Sequence, residues 1–435
     1  MKPGGLLTAV AVLAVLGGLV WWSNKHPQTA SSSSTPANPK IIAVDQKQIE
    51  DIRLVKQGTD PIELAKLADS WEIAKPMPMH ADQDAANSLA SSLSTLNADR
   101  LIDEKPSDLK QFGLDMPTAE VDVTLKGGKT DKLLLGADTP AATGTYAKLE
   151  NDPKIYTVPT YTKTGFEKTL SDLRDKRLLT FNQDKLTSFT VTGKGPEVEF
   201  AKNTQGDWQI TKPKPMRADS LTVDDLVRKL KDAKMDLSST DAAEQYAKAE
   251  RAGTASTTDN TGTQTLEVHK GKDNTWYAKS SAVPGIYKLA GDLGDSFSKT
   301  LEDYRNKKLF DFGFNEVSKL ELNGTTYQKS GDKWTAGSTQ YDAGTLQTVI
   351  DKLRDLSATK FADKIAGTPA FTIGVTYGDS HKYEKVAINK DGDMYAAQRD
   401  GDPSIYIIDS KNVEDLQKSI AAVKPYQAPK PEKKK

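Results

Sequence analysis

The sequence predicts an α+β protein: an N-terminal transmembrane helix, then three tandem repeats, each an antiparallel sheet with two amphipathic helices. Three observations carry this. A charge-free run extends from Gly4 to Trp22. A tryptophan-led segment recurs without a gap 137 residues downstream. Alternating β-type stretches outnumber helix-period stripes, and hairpin signals punctuate them.

The run from Gly4 to Trp22 holds 19 residues. As a helix it would reach about 28 Å, close to a hydrocarbon core of about 30 Å. Trp21 and Trp22 would sit at the headgroup level. A cleaved signal peptide would want a shorter run and a small-residue site after it. A buried core helix would show a polar face. Residues 1–25 are therefore expected to be a cytoplasmic N-terminus and signal anchor, meeting the lipid bilayer through residues 4–22. Lys2 before the span and Lys25 and His26 after it leave only a slight charge bias. The expectation is a single-pass protein of a bacterial inner membrane with a periplasmic body. Residues 26–40 form a Ser/Pro linker that cannot bury a core. Residues 424–435 form a Pro/Lys tail, which could also meet anionic lipid.

The body repeats. Trp71-Glu-Ile-Ala-Lys-Pro-Met-Pro-Met-His-Ala-Asp82 matches Trp208-Gln-Ile-Thr-Lys-Pro-Lys-Pro-Met-Arg-Ala-Asp219, and a shorter version runs from Trp334 to Asp342. Each leads into a helical stripe: Leu89, Leu93, Leu96; Leu226, Leu230, Ala233; Leu346, Ile350, Leu353, Leu356. Asp82, Asp219 and Asp342 stand where N-caps belong. Strand-like segments follow at Ala119–Leu125, Thr265–His269 and Phe371–Tyr377, then Ile155-Tyr156, Ile286-Tyr287 and Ile405-Tyr406. A second helix is expected over Phe166, Leu170, Leu173, over Phe297, Leu301, Tyr304, and over Val413, Leu416, Ile420. The repeats then span 41–178, 179–309 and 310–423, each long enough for its own core.

Leu173-Arg-Asp-Lys-Arg-Leu178 and Tyr304-Arg-Asn-Lys-Lys-Leu309 end the first two repeats, and the third lacks the basic cluster. The cations suit a solvated helix C-terminus. Alternatively, Arg174 and Arg305 reach the next repeat and set its angle. Trp71, Trp208 and Trp334 are either core anchors under each helix or an exposed stacking row for a glycan or partner.

Chemistry is sparse. The chain has 59 basic and 60 acidic residues, a net charge of −1, which argues against nucleic acid as a partner. It has no cysteine and four histidines, none at metal-ligand spacing. His80 is replaced by Arg217 at the matching place. No serine elbow or phosphate-binding loop occurs. No catalytic, cofactor or metal residue is expected, and the protein is read as a non-enzyme.

Several of these segments, with Phe112-Gly-Leu-Asp-Met-Pro117, Leu133-Leu-Leu-Gly136 and Ile155-Tyr-Thr-Val158, resemble an uncharacterised bacterial domain-of-unknown-function family of membrane-anchored repeat proteins. Its members often lie beside gliding-type ABC transporter subunits, so the resemblance implies a transporter as partner class and carries over no catalytic residue. The expected function is an interaction or accessory arm of the cell envelope. The alternative is an envelope glycan-binding protein.

Overall fold

The structure, a computed structural model, describes residues 38–428. The span expected over residues 4–22, most of the linker and the last residues of the tail lie outside them. Among the described residues no helix is long and apolar enough to cross a membrane. The expected class, a transmembrane helix followed by sheets each with two amphipathic helices, is therefore corrected. The described residues form three nine-stranded antiparallel sheets, with strand at 42% against helix at 22%. The chain divides into two compact units, Met1–Asp175 and Lys176–Lys435. The first unit holds one sheet and the second holds two.

In the first unit, β1 (Ile49–Lys56), β2 (Ile62–Leu67), β3 (Ser70–Lys75) and β4 (Met79–His80) form a meander. The helix Gln83–Ser94 follows, then β5 (Arg100–Asp103) and a second meander of β6 (Ala119–Leu125), β7 (Thr130–Asp138), β8 (Gly144–Leu149) and β9 (Ile155–Pro159). The order is β4-β3-β2-β1-β6-β7-β8-β9-β5, so the helix joins the two edges of one sheet. Nine strands laid flat would be about 38 Å across, while 12 helical residues reach about 18 Å. The sheet therefore curls around the helix, helped by register shifts at Asp51, Leu64, Asp103 and Asp138. Alternation in each strand turns Ile52, Leu64, Trp71, Ile73, Val121 and Leu133 onto Leu89 and Leu93 of the helix, forming one core. The Asp82 side chain accepts from the Ala85 amide at 3.0 Å and starts the helix.

The second unit repeats this plan twice. Its first sheet runs β10 (Ser188–Thr192), β11 (Val198–Lys202), β12 (Trp208–Lys212), β13 (Met216–Arg217), helix Ser220–Lys231, β14 (Lys234–Asp236), β15 (Glu250–Asp259), β16 (Gly262–Lys270), β17 (Trp276–Ser280) and β18 (Ile286–Ala290). The next runs β19 (Val317–Leu322), β20 (Thr325–Ser330), β21 (Lys333–Ala336), β22 (Thr339–Tyr341), helix Ala343–Asp355, β23 (Lys360–Ala362), β24 (Thr368–Tyr377), β25 (Lys382–Asp391), β26 (Met394–Arg399) and β27 (Ile405–Ile408). Asp219 and Asp342 cap their helices as Asp82 does.

Two local expectations change. The second helix is continuous only in the third sheet, at Ser410–Ala421. In the others it breaks into Thr160–Phe166 with Leu170–Leu173, and Leu293–Ser296 with Leu301–Tyr304. Thr169 with Asp172 and Thr300 with Asp303 form capping boxes that restart the chain inside the apolar stripe. Thr265–His269 lies in β16, one strand beyond the counterpart of Ala119–Leu125. The true counterpart, β15, buries Gly253, Ala255, Thr257 and Asp259. Those small or polar residues give no apolar alternation to read.

Candidate interaction cleft between the second and third sheets

Each sheet is closed by straps, short segments that hydrogen-bond beside its edges. In the first unit Pro39 and Ile41 pair with Ala98 and Leu96, and Leu173 and Asp175 pair with Asp82 and His80. In the second unit a single strap ends one sheet and begins the next. The Asp219 amide donates to Tyr304 O at 2.8 Å and Asn306 to Arg217 O at 3.0 Å. Directly after it, Ala358 donates to Lys307 O at 2.8 Å, and Leu309 donates to Leu356 O at 3.1 Å. The strap forces side chains of β13 and of the strap itself against the third sheet.

Arg305 sits on this strap and is buried. Its guanidinium lies 3.4 Å above the ring centroid of Phe361 on β23, and it donates to Glu302 at 2.9 Å. Arg174 occupies the matching place in the first unit, where its backbone bridges Ala81. Trp71, Trp208 and Trp334 are all buried, on β3, β12 and β21. Trp71 Nε1 donates to Asn87 and Trp208 Nε1 to Asp224, each at 3.1 Å, on the crossing helix of its own sheet. Lys66 and Lys202 lie over these indoles from the neighbouring strands. The three tryptophans thus hold helix to sheet and form no surface row.

Sequence reasoning missed the groups that converge here. Arg217, on the two-residue β13, donates to Lys308 O at 2.8 Å, to the Tyr406 hydroxyl at 2.9 Å, and to Asp311. Arg399 donates to Asp311 at 3.2 Å, to Glu384 at 3.1 Å and to Leu309 O. Glu384 also accepts from the Tyr377 hydroxyl and the Asp311 amide. Tyr406 donates to Asp402. The swap of His80 for Arg217 inside an otherwise matching segment was the one available signal. His80 itself pairs with Glu72 in its own sheet, at 3.0 Å.

Burial works against the Arg217 cation, but Asp311, Tyr406 and Asp402 outweigh it and raise its pKa. Burial pushes the Tyr406 phenol up to about 12, against the pull of Arg217 and with the help of Asp402. Tyr383 is pushed up to about 12 by burial and its bond to Glu321, and Tyr377 is raised by burial and Glu384. At neutral pH these phenols keep their protons, and Asp311 and Glu384 are engaged by guanidinium groups.

This network floors a cleft of about 660 Å³ lined by Trp208, Arg217, Asp311, Tyr383, Glu384 and Arg399, among others. Its lining also includes Ser220 and Asn315. Next to them in sequence, Leu221 and Phe314 are 84% and 91% exposed. Arg354 lies over the Phe314 ring at 4.7 Å and donates to Gly313 O. Among the described residues no group of three or more His, Asp or Glu side chains converges as a metal site.

No curated protein and no solved structure matches this chain. A family model described as a domain of unknown function, DUF4340, matches it twice, over residues 71–208 and 208–378. Each match opens on a buried tryptophan, Trp71 or Trp208, and the first closes on the second of them. With most of its length covered in two successive matches, the chain belongs to the DUF4340 family.

Proposed function

We propose that the chain is a non-enzymatic interaction protein of the bacterial cell envelope, an accessory arm for an ABC transporter complex. Its working surface is the cleft between the second and third sheets. The observation that carries this is the division of labour in the cleft. The ionisable groups of the floor are spent on one another, while Leu221 and Phe314 stand exposed beside it and Tyr383 is about half exposed. Large apolar and aromatic side chains around a desolvated, hydrogen-bonded centre are the makings of a protein-binding hot spot. A catalytic cleft would instead leave an acid, base or nucleophile open to substrate. The transporter as partner rests on the family resemblance of the sequence. The glycan-binding alternative loses its tryptophan row, because all three indoles are buried.

The test is crosslinking mass spectrometry on the tagged full chain, gently extracted from the cells that make it. The expected result is a set of crosslinks from Lys382 and its neighbours to transporter subunits, reduced at least fivefold by Phe314→Ser with Leu221→Ser. Recovery without any transporter or envelope protein, or crosslinks indifferent to both changes, would overturn the reading.

A further inference from the structure

The joint inside the second unit shows what covers the far edge of a sheet. On the third sheet, Asp402-Pro-Ser-Ile-Tyr406 presents a carboxylate and a phenol, and Phe361 on β23 lies beside Tyr406 with ring centroids 5.2 Å apart. Arg217 donates to the Tyr406 hydroxyl, and Arg305 stacks on Phe361. Both arginines come from the preceding sheet.

The first sheet carries the same acceptor. Asp152-Pro-Lys-Ile-Tyr156 repeats the motif, whereas the second sheet has Val283-Pro-Gly-Ile-Tyr287. The local geometry also matches. Tyr156 donates to Asp152 at 3.4 Å, and the Lys154 amide donates to Asp152 at 3.1 Å, as the Ser404 amide does to Asp402 at 2.8 Å. On β5, Leu101 pairs with Tyr156 as Phe361 pairs with Tyr406. The occupancy differs. Leu101 and the adjacent Ile102 are 37% and 39% exposed, and Asp152 is half-buried where Asp402 is 8% exposed. Lys148 lies near Asp152, but its ammonium is engaged by the carbonyls of Leu149 and Glu150.

We propose that this face of the first sheet, made by Leu101, Ile102, Asp152 and Tyr156, docks a partner protein that presents an arginine on an extended segment. The incoming guanidinium would meet Asp152 and the Tyr156 hydroxyl as Arg217 meets its counterparts, and the flanking chain would cover Leu101. Residues 1–38 contain neither the tryptophan-led pattern nor any arginine, and the first arginine is Arg53. A second copy docking by its third sheet would offer Gln340 and Pro425 in the places of Arg217 and Arg305. This site is separate from the cleft and goes beyond the reading given for it.

The experiment uses the full chain in the cells that naturally make it, with a photoreactive phenylalanine analogue at position 101. The expected result is an adduct with another protein, mapped by mass spectrometry to a segment containing arginine. Asp152→Asn keeps the turn to Lys154 and removes the charge, and it should cut the adduct about tenfold. Replacing the mapped arginine of the partner by alanine should do the same. A matched analogue at position 382 reports on the cleft and should not respond to Asp152→Asn. An adduct indifferent to Asp152, an adduct only with a second copy or with the chain itself, or no adduct at all would each overturn the proposal. If Asp152→Asn lowers the melting temperature, Ile102→Ser serves as the second variant with the same expected loss.

Discussion

The guanidinium of Arg217 lies 2.9 Å from the hydroxyl of Tyr406, which is 189 residues further along the chain. One side chain on a two-residue edge strand thereby ties two sheets whose cores are otherwise separate. Arg217→Met should lower unfolding stability by about 1–2 kcal/mol, because Asp311 and Tyr406 each lose a hydrogen-bond partner, the Asp311 pair being partly solvent-screened. Chemical denaturation of the full chain measures it. A double-mutant cycle with Tyr406→Phe should give a coupling of about 1 kcal/mol. A loss under about 0.5 kcal/mol would mean that the bond contributes nothing to the joint.

Trp208 Nε1 has Asp224 as its acceptor. Asp224→Ala should cost about 1–3 kcal/mol, since a buried indole N–H is left without a partner. Asn87→Ala should cost a similar amount beneath Trp71. Thermal unfolding followed by tryptophan fluorescence reads both. Equal losses at the two sites would show that the tryptophan anchor works alike in both sheets.

Gly294 is packed so tightly that a Cβ there would stand 2.1 Å from Cδ2 of the Trp276 ring. The ring is buried and cannot swing aside. Gly294→Ala is expected to destabilise the second unit by about 1–3 kcal/mol through overpacking. The check is the shift in denaturation midpoint, and an unchanged midpoint would mean that the Leu293–Ser296 turn yields freely.

Two pH limits follow from opposite shifts. Asp236 is held down to about 2 by the Ser238 hydroxyl, then the Ser238 amide and Lys288. A depressed carboxyl favours the fold above its unfolded value of about 3.9, and that contribution is lost as pH falls to the folded value. Asp236→Asn should therefore flatten the acid limb of the stability profile between about pH 4 and 2. Tyr406, pushed up to about 12, acts in the other direction. Its contribution is complete below its unfolded value of about 10 and is lost as pH rises to the folded value. Tyr406→Phe should remove that part of the alkaline decline, read by denaturation at stepped pH.

How much of this was legible depended on spacing and contrast. The three crossing helices were readable because their stripes are apolar on one side and each begins at an aspartate that caps it. The tryptophan segments were readable because the first two copies align without a gap. The front strands were not. β1 and β2 mix lysine, arginine and glutamate with their inward residues, since one face of the curled sheet meets water. β15 was invisible because its inward positions are small or polar. The broken second helices hid behind an intact apolar stripe, and only the Thr-x-x-Asp boxes mark the break. The cleft was the least legible feature. Arg217, Asp311, Glu384 and Arg399 stand far apart in sequence, in no motif, and only strand pairing and the strap bring them together.

The strap has a bearing on how such an array is inherited. Because Tyr304–Asn306 closes one sheet and Lys307–Leu309 opens the next, the natural unit of duplication runs from the middle of one strap to the middle of the following one. A copy gained or lost between those points leaves both seams intact, whereas a break elsewhere strands half a seam. Inside the second unit the seam turns on arginine at 217, where the aligned positions of the other copies carry histidine at 80 and glutamine at 340. A single codon at position 217 is thus enough to change how the two sheets of the second unit grip one another, while their tryptophan-anchored cores drift independently.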